Sequence, residues 1–467
     1  MLAHGACAEA IVTAHEIVIV GAGPAGVRAA ETLVQAGLRP VVIDEAPRAG
    51  GQIYRRPPEG FVRTKKQLYG FESRKADDVH RSFERLAGAI THLPSTLAWN
   101  CDRGQLDLLT DGRHASRKFS HLILCTGATD RVLPFPGWLL PGVYTLGAAQ
   151  VALKAQGCVL GGRVVLVGSG ALLYLLAYQY LKAGAQIAAV LDTASLANQL
   201  GAVVDLGRQP LTLAKGLYFL ARLRSSGVRL VAGVRDVAVS GDDRVRAVSW
   251  RSGGREHHLA CDAVATGFNL RSEAQLADLA GCAFDFDPVH RQWLPRRDAA
   301  GRSSVAGVYL AGDGVGILGA DAAELAGRRA ALALLEDLGD PTGDGEGRRL
   351  ERGLRRIARF QRGLQRAYPL PVAWLQDCPD DLVICRCENV SAGALRQAAA
   401  EGGTVEINRL KALTRVGMGR CQGRMCAGAA AEILACSSGR PVADVGRLRA
   451  QSPIKPIPMA AQGQERA

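Results

Sequence analysis

A chain of 467 residues is too long for one ordinary core and long enough for two or three domains. Its 48% apolar and 22% charged residues are those of a soluble globular protein. The net charge of +13 suits an acidic partner, an anionic membrane surface or a solvated Arg-rich face; nucleic acid is disfavoured, because no helix-turn-helix, zinc-finger or aromatic-interleaved basic pattern occurs.

Met1 to His15 carries no basic segment and Glu16 follows, so no secretory signal is expected and the protein is expected in the cytoplasm. From His15 to Val20 the chain reads as a short buried strand. Gly21-Ala22-Gly23-Pro24-Ala25-Gly26 follows, then a helix through Val34, then a second strand, Pro40 to Asp44. In this order the three glycines have separate tasks. Gly21 permits the tight turn, Gly23 lets a pyrophosphate reach the backbone, and Gly26 lets helix and strand pack closely with the helix N-terminus facing the phosphates. Asp44 ends the second strand where a ribose hydroxyl needs an acceptor, and Glu45 stands beside it as a backup.

His121 to Gly127 reads as a strand running into Thr126-Gly127. A second glycine turn, Gly168-Ser-Gly-Ala-Leu-Leu173, follows the strand Arg163 to Val167. Leu173 replaces the third glycine, and Leu191 falls where the acid is expected, with Asp192 one place late. The sequence therefore predicts a retained fold that does not bind nicotinamide. The most apolar stretch, Ala171 to Leu191, holds Lys182 and follows the glycine turn, so it is a buried crossover helix and strand, not a membrane span. Ala263 to Phe268 repeats the strand and Thr-Gly turn at Thr266-Gly267. Gly307 to Asp313 is a strand ending in Gly312-Asp313, followed by a helix.

These motifs come in the order seen in two-dinucleotide-domain flavoproteins, and the chain resembles the thioredoxin reductase-like group from about residue 15 to 335. The resemblance implies FAD at the first glycine turn. It also implies a flavin-side segment at Gly50-Gly51-Gln52-Ile53, and a ribityl-binding carboxylate at Asp313. No paired Cys stands beside Gly51 or in the second unit, so thiol–disulfide chemistry is not expected.

Pro341 to Gly347 reads as a polar linker. Leu350, Leu354, Ile357, Phe360 and Leu364 then recur at helical spacing, with Arg348, Arg352, Arg355, Arg359 and Arg366 on the other face. That basic face is either solvated or a docking surface for an acidic partner.

Six of the 12 cysteines lie between Cys378 and Cys436. Cys385-Arg-Cys387 and Cys421-Gln-Gly-Arg-Met-Cys426 form two pairs, separated by a segment that reads as two short helices, one capped by Ser391 and one from about Val405 to Thr414. Four thiolates suit zinc or an iron–sulfur cluster; the C-x-C half argues against a structural zinc knuckle. Glycines 417, 419, 423 and 428 leave room for backbone near a bulky inorganic centre. Cys378 and Cys436 are not assigned as ligands.

The C-x-C, helical insert and C-x(4)-C pattern resembles the bacterioferritin-associated ferredoxin-like [2Fe-2S] domain. Met418-Gly-Arg-Cys421-Gln-Gly-Arg-Met-Cys426 is similar to the large flavin subunits of opine oxidases, D-hydroxyproline dehydrogenases and hydrogen cyanide synthase. This resemblance implies an α/β chain with two Rossmann-like domains and a small helical [2Fe-2S] domain. The expected boundaries are 1–134 and 263–340 for the FAD domain, 135–262 for the second Rossmann domain, 341–375 for the linker helix, and 376–467 for the cluster domain and its Pro-rich tail. It implies one [2Fe-2S] centre on Cys385, Cys387, Cys421 and Cys426. It further implies an amine-oxidase-like FAD partner that oxidises a secondary amine or amino acid. A small ferredoxin-like partner, FMN at a subunit interface and peripheral placement at the inner membrane stay open. The competing readings are a self-contained NAD(P)H-dependent reductase and a non-catalytic scaffold.

Overall fold

The computed structural model describes residues 16–58, 60, 61, 63–340 and 344–458. His15, the rest of the stretch read for a signal, and residues 341–343 of the polar linker lie outside the described residues. Ile17–Val20 is a strand with a nearly fully buried apolar run, as befits a central strand of a parallel sheet. It pairs in parallel with Val41–Ile43 on one side and His121–Leu124 on the other. Thr91–Leu93 and Val308–Leu310 extend these to a five-stranded parallel sheet.

The helix Pro24–Gln35 starts on Pro24, whose φ is preset for the first helical turn and whose missing N–H costs nothing there. It packs along the helix Ala320–Asp337 through small residues. A Cβ at Gly327 would lie 2.0 Å from the Ala25 carbonyl oxygen, so this approach requires glycine. Arg28 locks the layer. It is 4% exposed and donates to Glu324 (2.8 Å), Glu31 (2.9 Å) and Ser82 (2.9 Å), and also to Asp78.

A second five-stranded parallel sheet is built from Arg229–Ala232, Gln186–Asp192, Arg163–Ser169, Ala263–Phe268 and Val143–Thr145, in that order. Ala263–Phe268 pairs with Arg163–Ser169, so the chain returns to the first unit after Phe268 rather than at residue 263. Each unit carries a three-stranded antiparallel meander, and the pair Ala128–Asp130 with Leu270–Ser272 joins the two units. The apolar stretch from Ala171 is the buried helix Ala171–Lys182 followed by the strand Gln186–Asp192. Among the described residues no helix is long and apolar enough to cross a membrane.

The linker is one helix, Asp344–Ala367, with Leu350 and Phe360 buried. Its Arg366 and the nearby Arg208 pair with Asp205 (3.3 and 3.5 Å), and Arg359 and Arg362 line the same surface. The C-terminal module is a strand pair, Val383–Cys385 with Val390–Ser391, and the helices Ala392–Glu401, Ile407–Thr414 and Ala427–Ser438. Ser391 caps the first as expected. The second starts two residues later than the pattern predicts, because the Glu406 carboxylate accepts the Arg409 amide (2.9 Å) and sets the cap there. The tail returns to the first unit: the Ile454 amide donates to the Trp99 carbonyl (3.0 Å), and Lys455 pairs with Glu45.

Replacing Arg28 with Met is expected to leave three carboxylates without their shared cation. Breaking a buried pair costs about 3 kcal/mol or more, so denaturant unfolding followed by flavin fluorescence should show a clearly lower midpoint.

Candidate functional site

The first glycine turn is shaped by the close approaches that its glycines permit. A Cβ at Gly21 would lie 2.3 Å from the Cys125 carbonyl oxygen, and one at Gly26 would lie 1.7 Å from that of Gly21. Gly51, at φ +61, faces Gly23: its Cβ would lie 2.9 Å from the Gly23 Cα. Gly23 and Gly51 thus form a cradle into which only backbone projects, and a nucleotide pyrophosphate fits such a cradle. Gln52 is exposed and accepts from Arg55 (2.6 Å).

The Asp44 carboxylate accepts the amides of Ala22 (2.5 Å) and Ala46 (2.6 Å), which brace the turn and leave one lone pair on each oxygen for a ribose. Burial raises its pKa, and these two amides offset part of the rise. Glu45 is turned to Lys455 of the tail, so the backup acid of the sequence reading has a structural partner instead.

Asp313 lies at the start of a short 3-10 turn. Its Oδ1 accepts the amides of Leu318 and Gly319, both at 2.9 Å, while Oδ2 has no partner among the described residues. Burial raises its pKa, and the two amides counter the rise. A free carboxylate oxygen in such a site fits a ribityl hydroxyl. The Gly312 φ of +73 brings it to Ala25 of the first turn, where a Cβ would lie 3.0 Å from the Ala25 Cβ. Thr126-Gly127 completes the site; Gly127, at φ +72, has open space beside it. The structure therefore brings Gly21, Gly23, Ala25, Gly26, Gly51 and Gly312 together, and its residues fit FAD.

The second turn is closed. Gly168 faces Asp192 as Gly21 faces Asp44, so the acid is in register; an extra residue at Ala188, opposite the Val164–Val165 step, makes it look one place late in the sequence. The acid is nevertheless taken. Its Oδ2 accepts the Tyr174 hydroxyl (2.6 Å) and its Oδ1 the Ala194 amide (2.8 Å). Burial pushes Asp192 up to about 6, against the pull of those two donors. Asn269 sits over the turn: a Cβ on Gly170 would lie 2.2 Å from its Oδ1. Asn269 is held there by Gln365 (3.2 Å) and the Tyr368 carbonyl (3.1 Å) at the end of the linker helix. Leu173 is fully buried where Gly26 stands in the first unit, so its helix cannot approach the strand as closely.

The four cysteines of the two C-terminal pairs meet. Cys426 neighbours both Cys385 and Cys421, and Cys421 neighbours Cys387. The neighbouring Cys426 thiol holds Cys385 down to about 6 and Cys421 down to about 5, while Cys426, between them, is raised. Backbone amides of Gly417, Cys387 and Glu388 also serve Cys385, and those of Met425 and Gly423 serve Cys421. Amides aimed at sulfur stabilise an anionic thiolate centre.

Four converging thiols are a donor set that an iron–sulfur cluster uses. Cys385 and Cys426 are buried, while Cys387 is exposed. Cys426 caps the helix Ala427–Ser438, whose N-terminal dipole favours negative charge. Of the extra thiols, Cys378 is buried and bonded to the Leu375 carbonyl (3.1 Å), and Cys436 is exposed.

Sequence reading missed the residue that joins the two sites. The Glu273 amide donates to the Gly127 carbonyl (2.9 Å) and its carbonyl accepts the Thr126 hydroxyl (2.5 Å). Its carboxylate pairs with Arg424, between Cys421 and Cys426, at 2.7 Å. Burial alone would raise Glu273; Arg424, by charge and by hydrogen bond, and then Arg271 outweigh burial and hold it below the usual range. Lys154, buried in the second unit, donates to the Ile53 carbonyl (2.9 Å), and burial pushes it down to about 8. Neither residue lies in a motif; only the charge of Arg424 inside the C-x(4)-C spacing offered a signal.

Fold and site together define a two-dinucleotide-fold flavoprotein with an appended four-thiolate module. Residues 15–330 match the pyridine nucleotide-disulphide oxidoreductase family, and residues 383–436 match the BFD-like [2Fe-2S] binding domain. The chain is 36% identical to one of the subunits of opine oxidase from Rhizobium meliloti, covering 96% of this chain and 87% of the relative. It is 34% identical to the HcnB subunit of hydrogen cyanide synthase from Pseudomonas aeruginosa, covering 95% and 97%. Among solved structures, L-proline dehydrogenase from P. horikoshii aligns with TM-score 0.69 at 22% identity, over 96% of this chain and 79% of that one. T. acidophilum thioredoxin reductase aligns with TM-score 0.50 at 21% identity, over 69% and 98%.

The chain belongs to the pyridine nucleotide-disulphide oxidoreductase family. It is a flavin-dependent oxidoreductase, and its two family matches imply FAD and a [2Fe-2S] cluster.

Cys421→Ser is expected to remove the iron–sulfur absorption while FAD stays bound, since Cys421 takes no part in the glycine cradle; simultaneous loss of flavin would contradict this separation. Asp192 supplies a pH test. Its folded pKa is raised, so its contribution to stability is fully present below the unfolded value near 4 and is lost as pH rises through about 6. Asp192→Asn should therefore match the parent near pH 4 and melt higher above pH 6, by roughly 2–4 °C.

Proposed function

We propose that this chain is the electron-transferring component of a dehydrogenase whose partner, an amine-oxidase-like flavoprotein, oxidises the C–N bond of a secondary amine or amino acid such as an opine or D-hydroxyproline. The observation that carries this reading is Glu273, which bonds the Thr126-Gly127 turn through its backbone and Arg424 of the cysteine loop through its carboxylate. When bound, FAD handles electron pairs and a [2Fe-2S] centre passes single electrons, so a chain that holds both converts one to the other. The relatives are named as parts of an oxidase and a synthase, which supports a partner on another chain.

In this reading Gly23 and Gly51 admit the pyrophosphate, Asp44 orients the ribose, and Asp313 fixes the ribityl chain. Cys385, Cys387, Cys421 and Cys426 ligate the cluster, and exposed Cys387 marks the side nearest a redox partner. A small ferredoxin-like partner and FMN at the interface fit the same scheme. The NAD(P)H-dependent reading is disfavoured because Tyr174, Asn269 and the end of the linker helix close the second glycine turn.

Anaerobic mixing of the purified chain with NADH or NADPH is expected to leave the flavin spectrum unchanged. Co-expression with its amine-oxidase-like partner, followed by addition of an opine or D-hydroxyproline, is expected to bleach the flavin and then the cluster. Rapid bleaching by NADH would favour the reductase reading, and a flavin that no donor reduces even in the complex would favour a scaffold.

A further inference from the structure

A cavity of about 160 Å³ lies where the strand Leu270–Ser272, the hairpin Phe284–Pro295 and the cysteine loop meet. Its size is on the order of the ~150 Å³ that accommodates benzene. Five arginines line it: Arg131, Arg271, Arg291, Arg424 and Arg447. Three are neutralised. Arg291 makes two bonds to Glu432 (2.7 and 2.6 Å), Arg447 pairs with Asp278, and Arg424 pairs with Glu273.

The other two make no direct ion pair, although Glu273 acts on Arg271 and Glu432 and Asp287 act on Arg131 through space. Arg271 donates to the Arg424 carbonyl (2.8 Å); burial lowers its pKa, against the pull of Glu273 and, more weakly, of the cysteine loop. The Arg131 guanidinium has no hydrogen-bond or ion-pair partner among the described residues. Both residues are half-buried and line the cavity. Burial, with repulsion from Arg271, lowers Arg131 to about 10, so it is still a cation at neutral pH. A cation without a direct partner in a partly enclosed, partly apolar cavity is a position that an anion satisfies.

The walls carry two more unsatisfied polar atoms, Gln275 Oε1 and Gln292 Nε2. Beside them are Trp293, Phe286, Met425 and Leu448, an apolar surface for the body of a ligand. Convergent polar groups on an apolar wall are the composition of a small-molecule site.

We propose that this cavity binds a small organic anion, a carboxylate or a phosphate, held by Arg131 with its apolar part against Trp293 and Phe286. Such a ligand would sit beside the cysteine loop, on the opposite side of Glu273 from the flavin turn. This inference stands apart from the proposed electron path, because it concerns residues that hold neither cofactor.

The test is equilibrium dialysis of the full-length holoprotein with radiolabelled benzoate and, separately, radiolabelled inorganic phosphate. At least one is expected to bind saturably near one equivalent, and the arm that binds identifies the anion class. Arg131→Gln should weaken that binding roughly tenfold or more, the scale of a lost charge-assisted hydrogen bond. Gly428→Leu, at a lining position with open space beside it, should block the cavity while Arg131 stays in place; it serves as the second variant where Arg131→Gln fails to retain FAD and iron. Saturable binding of neither probe, equal binding to the parent and to a folded variant, or displacement by chloride alone would overturn the proposal.

Discussion

The buried ion pair between Glu273 and Arg424 is the constraint on which the arrangement of the two sites depends. Both side chains are largely removed from water, at 8% and 13% exposure. Such a pair repays its desolvation only when the remaining donors and acceptors are also used. They are: Arg424 also donates to the carbonyls of Cys421 (3.4 Å) and Ile454 (2.5 Å), and the Glu273 backbone bonds the Thr126-Gly127 turn. Few alternative placements of the cysteine loop would satisfy all of these groups at once. The pair therefore acts less as glue than as a register pin between the flavin turn and the thiolates. Arg291–Glu432 and Arg447–Asp278 repeat the device along the same contact.

A fixed register matters because electron transfer between two centres falls off with separation, and a tethered but mobile cluster domain would spend most of its time out of range. Hydrophobic packing alone would give affinity without orientation. Here it gives the area instead. Trp138 donates to the Val383 carbonyl (2.9 Å), and Phe268 meets Trp374 edge to face at 5.4 Å, so the cysteine module shares one continuous core with the second unit. The module is thus held by apolar contact with the second unit and aligned by ion pairs with the first.

The first unit was legible in the sequence because everything needed to build its turn lies within thirty residues: strand, three glycines, helix, strand and acid. The cysteine ligand set was legible for the same reason, as two local spacings. What escaped was long-range. Arg424 stands inside the C-x(4)-C spacing, but its partner is 151 residues away. The residues that close the second turn, Asn269 and Tyr368, are about a hundred and two hundred positions from Gly170, and no local pattern marks them. The Asp192 register was misread because one bulged residue shifts a count that assumes a regular strand. The expected boundary at 263 assigned the strand Ala263–Phe268 to the first unit, whereas its pairing with Arg163–Ser169, contributed from about a hundred residues upstream, puts it in the second sheet.

The two dinucleotide folds have consequently diverged by what fills their glycine turns. In the first, backbone lines the cradle and one oxygen of Asp313 stays free, so a nucleotide supplies the missing partners. In the second, Tyr174 supplies a hydroxyl to the acid, Asn269 covers the turn, and the linker helix holds Asn269 in place. The linker follows the second fold in the chain and leads to the cysteine module, so closing the turn and positioning the module are done by the same segment. A nucleotide entering the second turn would have to displace the end of that helix, and with it the start of the chain that carries Cys385 and Cys387. The second fold therefore supplies what the module needs: a rigid sheet edge and a covered surface against which its thiolates are held relative to the flavin turn.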